Sequence, residues 1–193
     1  MTAYKPYLVF LGIVVVALVL LSFVSLGFYP IVWVAGDFVS ARHFYKHYGA
    51  ATLYYQNALR TYNVLSSSST QLTPTEIQAS VLDQLIENTL VARGVREEVG
   101  EDAEALAQNR LEKFDQGQTV KAAVHTLYGL GFEEFEHEIL LPQAQFELLS
   151  GRLFLRGKKI DDWLLETKRS SRVIIFSNRF SWDGEQVRIN DEE

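Results

Sequence analysis

The chain has 193 residues, 48% hydrophobic and 22% charged, with a formal charge of −6 and no cysteine. The length allows one membrane segment and one domain of ordinary size. The acidic balance excludes a phosphate-backbone partner, which needs clustered Lys and Arg, so no nucleic acid is expected; the missing cysteine excludes disulfides, thiolate nucleophiles, Cys-ligated metal centres and a thiol-linked lipid anchor.

No charged residue occurs between Pro6 and Gly36. Within that stretch Leu8 to Leu26 reads LVFLGIVVVALVLLSFVSL, apolar on every face, a pattern that soluble helices of this length do not carry unless fully buried. About 20 such residues at roughly 1.5 Å each span a hydrocarbon core of about 30 Å, so a transmembrane anchor is expected over residues 8–26. The run exceeds a signal-peptide core, and Ser25-x-Gly27 is a poor cleavage site, which favours retention. Tyr4 and Tyr7 on one side and Phe28, Tyr29 and Trp33 on the other read as interfacial aromatic belts. Lys5 and the free amine precede the span while Asp37, Arg42 and Lys46 follow it, so the positive-inside rule favours a cytoplasmic N-terminus and an extracytoplasmic domain.

Beyond the anchor, Ile31 to Ala35 (IVWVA) predicts a strand, Gly36-Asp37 a turn, and Phe38-Val39 a return of the apolar pattern into Ser40, the N-cap of a helix over Ala41 to Tyr62. One face of that helix carries Phe44, Tyr48, Ala51, Tyr55, Leu59 and Tyr62, with Tyr45 and Tyr54 beside it. Such a stripe is either core packing or an adaptable surface for unfolded chains, since tyrosine offers area with a polar tip. Ser66 to Thr70 is a polar loop. Thr73, Pro74 and Glu76 predict a capping box opening a helix that Gly100 ends, with Gly94 as a local weakness. Further helices are predicted over Asp102 to Phe114, with Leu106, Arg110 and Phe114 on related faces, over Thr119 to Tyr128, and over Phe132 to Leu155, where Pro142 should kink or interrupt the helix. Lys158 to Ser170 completes the set. Arg172 to Phe176 (RVIIF) is a strand, expected to pair with Ile31 to Ala35, and the tail from Trp182 is expected to be polar and acidic, frayed at its end.

Three segments in order carry a resemblance. Val34-Ala35-Gly36-Asp37-Phe38-Val39-Ser40 with its following helix, Val81 to Asn88 (VLDQLIEN), and Leu127 to Phe135 (LYGLGFEEF) followed by Pro142-Gln143 resemble the N-terminal chaperone domains of the SurA/PpiD family. The match runs over about Ile31 to Leu155, with the anchor placed as in membrane-bound members. Asp37 and Val39 depart from the commoner choices. The resemblance implies a mostly helical domain whose ends meet in a small β element, binding unfolded or translocating chains at apolar surfaces. Relatives often add a parvulin prolyl-isomerase domain, which nothing in Lys158 to Glu193 resembles.

A search for chemistry returns little. His43 and His47 have the four-residue spacing that lets two imidazoles share a metal, but no Glu of a zincin motif lies between them, so they read as surface histidines and no metal is expected. His125 and His137 have no local partners. Glu133, Glu134, Glu136, Glu138, Asp161 and Asp162 read as solvated helix faces that do not converge. Ser66 to Ser69 lacks a nucleophile elbow, and Gly129-x-Gly131 lacks the rest of a dinucleotide fingerprint. No catalytic residue and no cofactor is expected.

The combined expectation is a mainly α protein: an N-terminal tail and transmembrane anchor at 1–30, a helical chaperone-like domain at 31–180 closed by a two-stranded β element pairing its N- and C-terminal strands, and an acidic tail at 181–193. The expected function is a non-catalytic, membrane-anchored holdase. Its partners would be unfolded or nascent exported polypeptides and the lipid bilayer, with a separate isomerase or the translocon as a further partner. Tyr45, Tyr48, Tyr55, Phe132 and Phe135 are the candidate polypeptide-binding residues. The alternative is a structural or adaptor protein for one envelope partner.

Overall fold

A computed structural model describes residues 5–61, 72–111 and 117–190. The fold is mainly helical with small antiparallel sheets. The Ser66–Thr70 loop and the positions of Tyr4, Tyr62 and Phe114 lie outside the described residues.

Helix α1 (Lys5–Ser25) ends in a Schellman motif: Phe28 N–H donates to the Phe23 carbonyl (3.2 Å) and Gly27 N–H to that of Val24 (3.0 Å), with Gly27 at φ 72°. The Phe23 and Phe28 rings meet at 5.7 Å, the apolar contact that accompanies this cap. The described side chains of α1 begin at Phe10, and among the described residues no helix is long and apolar enough to cross a membrane. Phe10, Leu11, Ile13, Leu18 and Leu21 are each more than half exposed, and no described element packs along the helix.

Strands β1 (Pro30–Val34) and β2 (Asp37–Ser40) form a hairpin, and β3 (Val173–Ile175) pairs antiparallel with β1 on its other side. The expected pairing of the two terminal strands is present, but the sheet has three strands, ordered β2-β1-β3, rather than two. The turn is Ala35-Gly36, with φ of 50° and 108°, so Asp37 belongs to the strand and not to the turn. Two positive φ values suit the twist of a two-residue hairpin. Val32, Val34 and Val39 face inward, whereas Trp33 and Phe38 face out.

Ser40 caps α2 (Ala41–Thr61) by accepting from His43 N–H at 3.3 Å. The capping box at Thr73 and Glu76 is formed and opens α3 (Pro74–Val99), which Gly100 terminates at φ 81°. A 3-10 turn at Gly100–Asp102 leads into α4 (Ala103–Leu111), which buries Ala107 and Leu111 and leaves Leu106 half exposed, so the apolar face lies one position on from the one expected. After α5 (Gln118–Tyr128) comes α6 (Phe132–Phe135), a π turn (Glu136–Leu140) and α7 (Leu141–Leu155), the interruption that Pro142 predicts. Helix α8 (Ile160–Ser170) precedes β3.

The tail holds a further element before its last three residues, which lie outside the described ones. Strands β4 (Phe180–Trp182) and β5 (Val187–Ile189) form a second hairpin, so the expected boundary at 180/181 falls inside an ordered element. Phe180 is buried in the same core cluster as Val32, Leu85 and Leu90. Asp183 holds the turn: its Oδ1 accepts from the Glu185 and Gln186 amides at 2.9 and 2.8 Å, and Arg188 donates to Oδ2 at 2.6 Å. The local sequence is acidic, but this network and one buried phenylalanine outweigh its polarity.

Among the described residues there are three apolar clusters, and α3 contributes to the first and the third. The first joins it to the sheet, α2 and β4. The second gathers Ala50, Ala107, Leu111, Val124, Leu130, Phe135, Leu140 and Ala144. The third sets Val91 and Val95 against Leu149 and Leu153 under Trp163. Lys168, buried on α8, joins Glu87 in an ion pair, lies 3.7 Å from Asp83, and reaches over the Trp182 ring at 5.8 Å. Burial pushes the Asp83 carboxyl up against the opposing pull of Lys168.

Two outcomes test this packing. A Cβ on Gly94 would stand 2.6 Å from two atoms of the Trp163 ring, so this glycine is a seat for Trp163. Gly94→Ala gains about 1 kcal/mol of helix propensity but forces an overpacking of about 1–3 kcal/mol. The thermal midpoint should fall, and combining it with Trp163→Leu should be less damaging than the sum of the two; a raised midpoint for the single variant contradicts the contact. In the second hairpin, the Glu185 and Gln186 amides and then Arg188 draw the Asp183 carboxyl from 3.8 to about 2. A depressed carboxyl stabilises above its ordinary value and loses that contribution as pH falls through the folded one. The Trp182 indole resonance should therefore shift between about pH 4 and 2, and this transition should be absent in Asp183→Asn.

Candidate functional site

A cleft of about 570 Å³ lies between α2 and α3 on one side and α5, the π turn and α7 on the other. Its size lies within the roughly 300–1,000 Å³ typical of ligand pockets. Tyr54 and Tyr128, stacked at 5.1 Å, form one wall together with Phe146 and Ile139. Gln84, Asn88 and Gln143 add amide groups, which can both donate to and accept from a peptide backbone.

His47 and Glu138 are part of the lining of this cleft. His43 and His47 sit one turn apart on α2 with ring centroids 4.6 Å apart. Their Nδ1 and Nε2 atoms approach the same oxygen, Glu138 Oε2, at 2.9 and 3.0 Å. A carboxylate only accepts, so both ring nitrogens carry hydrogen in this arrangement. Lys46 Nζ donates to Glu138 Oε1 at 3.3 Å and lies 3.1 Å from Glu134, while the exposed His137 stands 4.0 Å from Oε1. Burial alone would push the Glu138 carboxyl up; the hydrogen bonds and charges of His43 and His47 outweigh it and hold the carboxyl far below its ordinary range. The hydrogen bond with Glu134 raises Lys46, burial partly opposing it, and the same bond lowers Glu134.

The reading of His43, His47 and Glu138 as solvated surface groups is therefore corrected: His47 and Glu138 are buried, and the three converge, with one ligand-type atom from each lying within 4.8 Å of the others. The reason is the π turn. Pro142 has no N–H to offer the carbonyl of Glu138, and its ring crowds that carbonyl in a regular helix. A turn closed between residues five apart relieves both conflicts and brings Phe135 and Leu140 into one cluster. Glu138, between them, turns toward α2. The histidine spacing and Pro142 are both visible in the sequence; the change of helical period that brings them together is not. Glu133, Asp161 and Asp162 are exposed, as expected.

None of the five candidate polypeptide-binding aromatics lines the cleft. Tyr45 is 59% exposed, edge-on to Phe44. Tyr48 stacks on Phe44 at 6.1 Å against the first core cluster. Tyr55 packs there too, its hydroxyl accepting from Leu72 N–H at 2.8 Å. Phe132 is half-buried beneath Lys121, and Phe135 is buried against Tyr128 at 5.0 Å. The aromatics that do face the cleft, Tyr54, Tyr128 and Phe146, differ from these by one helical position or lie on other elements.

Compared with known proteins, the chain matches no family model, no curated protein and no solved structure.

Glu138→Gln keeps the shape of the side chain and removes the charge on which His43, His47 and Lys46 converge. It should lower stability by about 1–3 kcal/mol, the range for a buried hydrogen bond to a charged group, whereas exposed Glu133→Gln should change little. Urea unfolding of the full chain in detergent distinguishes them, and equal midpoints would contradict the buried network.

Proposed function

We propose that the chain is a membrane-anchored, extracytoplasmic and non-catalytic polypeptide-binding protein of the SurA-like chaperone kind, in which the cleft between α2, α3, α5 and α7 receives extended segments of unfolded clients. The observation that carries this reading is the cleft itself: aromatic and aliphatic walls interleaved with Gln84, Asn88 and Gln143. Apolar walls bind side chains of many kinds, and side-chain amides bind backbone groups that every client has, so recognition is tolerant of sequence.

The anchor is part of the proposal. The 21 residues of α1 extend about 31 Å at 1.5 Å per residue, close to the thickness of a hydrocarbon core. Its exposed side chains from Phe10 onward have no packing partner along the helix among the described residues, and a bilayer removes that surface from water. Lys5 before it favours a cytoplasmic N-terminus. Confinement at a membrane raises the local concentration of emerging chains, so weak contacts suffice.

An adaptor for one envelope partner is the second reading. The outer face of the three-stranded sheet favours it, where Trp33, Phe38 and Phe176 are exposed.

The full chain in nanodiscs, at stoichiometric amounts, should suppress aggregation of two unrelated unfolded proteins. Phe146→Asp, a change at a partly exposed cleft position, should reduce suppression several-fold with unchanged helix content. No suppression by the wild-type chain rejects the holdase reading in favour of the adaptor; suppression that Phe146→Asp leaves intact removes the cleft from it.

A further inference from the structure

We propose that His43, His47 and Glu138 form a binding site for a divalent transition-metal ion, zinc by preference, where His47 and Glu138 line the cleft. This goes beyond client binding and does not depend on it.

Two imidazoles are borderline donors and the carboxylate a hard one, a mixed nitrogen–oxygen set suited to zinc and its first-row neighbours and poorly suited to calcium or magnesium, which take all-oxygen sites. Ligands about 2.1 Å from one ion and 90–110° apart stand roughly 2.9–3.4 Å from each other. The two nitrogen-to-oxygen separations, 2.9 and 3.0 Å, already lie in that range. The three donor atoms are all within 4.8 Å of one another, so the imidazoles need close by no more than about 1.5–2 Å around an ion. They are held ready for this. The histidines project from one face of α2, and Glu138 comes from the π turn across from them, a helix irregularity of the kind found at functional sites.

The surroundings fit a metal centre that retains open positions. Glu138 and His47 are buried but line the cleft, so water or a ligand from the cleft completes the coordination. Lys46 lies on the other carboxylate oxygen, Oε1, leaving Oε2 to the ion. Its charge is matched by Glu134 at 3.1 Å, which reduces its repulsion of a cation. Lys46 thus orients the carboxylate as outer partners of metal ligands do. Binding exchanges protons for the ion: each imidazole nitrogen that donates to Oε2 releases its hydrogen to solvent and offers its lone pair instead.

The test uses the full chain in detergent, without a histidine tag and stripped by a chelator. Calorimetric titration with zinc chloride should show one equivalent bound per chain, and cobalt(II) should give visible absorption of a four- or five-coordinate centre. His43→Gln, at a part-exposed position whose loss the fold tolerates, should weaken zinc binding at least tenfold, and Glu138→Gln should do the same. His125→Gln, exposed on α5, should bind as the wild type does. A folded wild-type chain that takes up no zinc, or a His43→Gln chain that binds it undiminished, overturns the proposal.

Discussion

Helix α3 is the constraint on which the other elements depend. Leu85, Ile86 and Leu90 are almost wholly withdrawn from water, and two of the three apolar clusters run along this one helix, while the second lies among α2, α4, α5 and α7 beside it. Burying such side chains contributes about 1.5–3 kcal/mol each, which is why a helix with a half-apolar composition can sit at the centre of a small domain. What is polar on α3 is directed: Asp83 and Glu87 meet the buried Lys168, and Thr73 and Glu76 close the exposed N-terminus. The sheet, α2, α7 and α8 take up positions around this axis, and the cleft is the space that α2 and α7 leave open beside it.

The second determinant is a local conflict. Pro142 cannot continue a regular helix from Phe132, yet Phe135, Leu140 and Ala144 must all reach the second cluster. The π turn resolves both demands, and its by-product is a carboxylate facing inward. An isolated buried carboxylate is costly. Here His43, His47 and Lys46 satisfy it from three consecutive approaches along α2, so a packing solution creates the most chemically distinctive place in the molecule.

How much of this was legible follows from the kind of signal involved. Caps at Ser40 and Thr73, the helix stop at Gly100 and the meeting of the Ile31 and Arg172 strands could be read directly, because each rests on residues a few positions apart or on two strong β-branched runs. The third strand and the second hairpin were harder. Asp37–Ser40 is too short for alternation to stand out, and the second hairpin depends on Asp183 bonding its own turn and on Phe180 finding a distant core. The His43–Glu138 contact was out of reach for a different reason. Its partners are ninety-odd positions apart, and their meeting depends on a helical period that changes within one turn. The aromatic stripe on α2 stayed ambiguous in sequence because core and cleft lie on adjacent faces: Tyr55 packs inward while Tyr54, its neighbour, lines the cleft.

The junction between α1 and α2 ties these features to the proposed anchor. Gly27 ends α1 in a left-handed turn, and its carbonyl accepts the Arg42 N–H at 2.8 Å while the Tyr29 carbonyl accepts that of Ala41 at 2.9 Å. A Cβ on Gly27 would stand 3.2 Å from the Arg42 nitrogen, so only glycine allows both the turn and the approach. Arg42 also lies over the Phe28 ring at 5.6 Å. The first turn of α2 is therefore fastened to the end of α1 by backbone hydrogen bonds and not by a flexible linker. His43 is the next residue. Whatever medium holds α1 thus fixes the direction of α2 as well, and with it the part of the cleft where the histidines and Glu138 meet. A flexible tether of the same length would leave the domain free to turn; this junction fixes the direction of α2 relative to the end of α1.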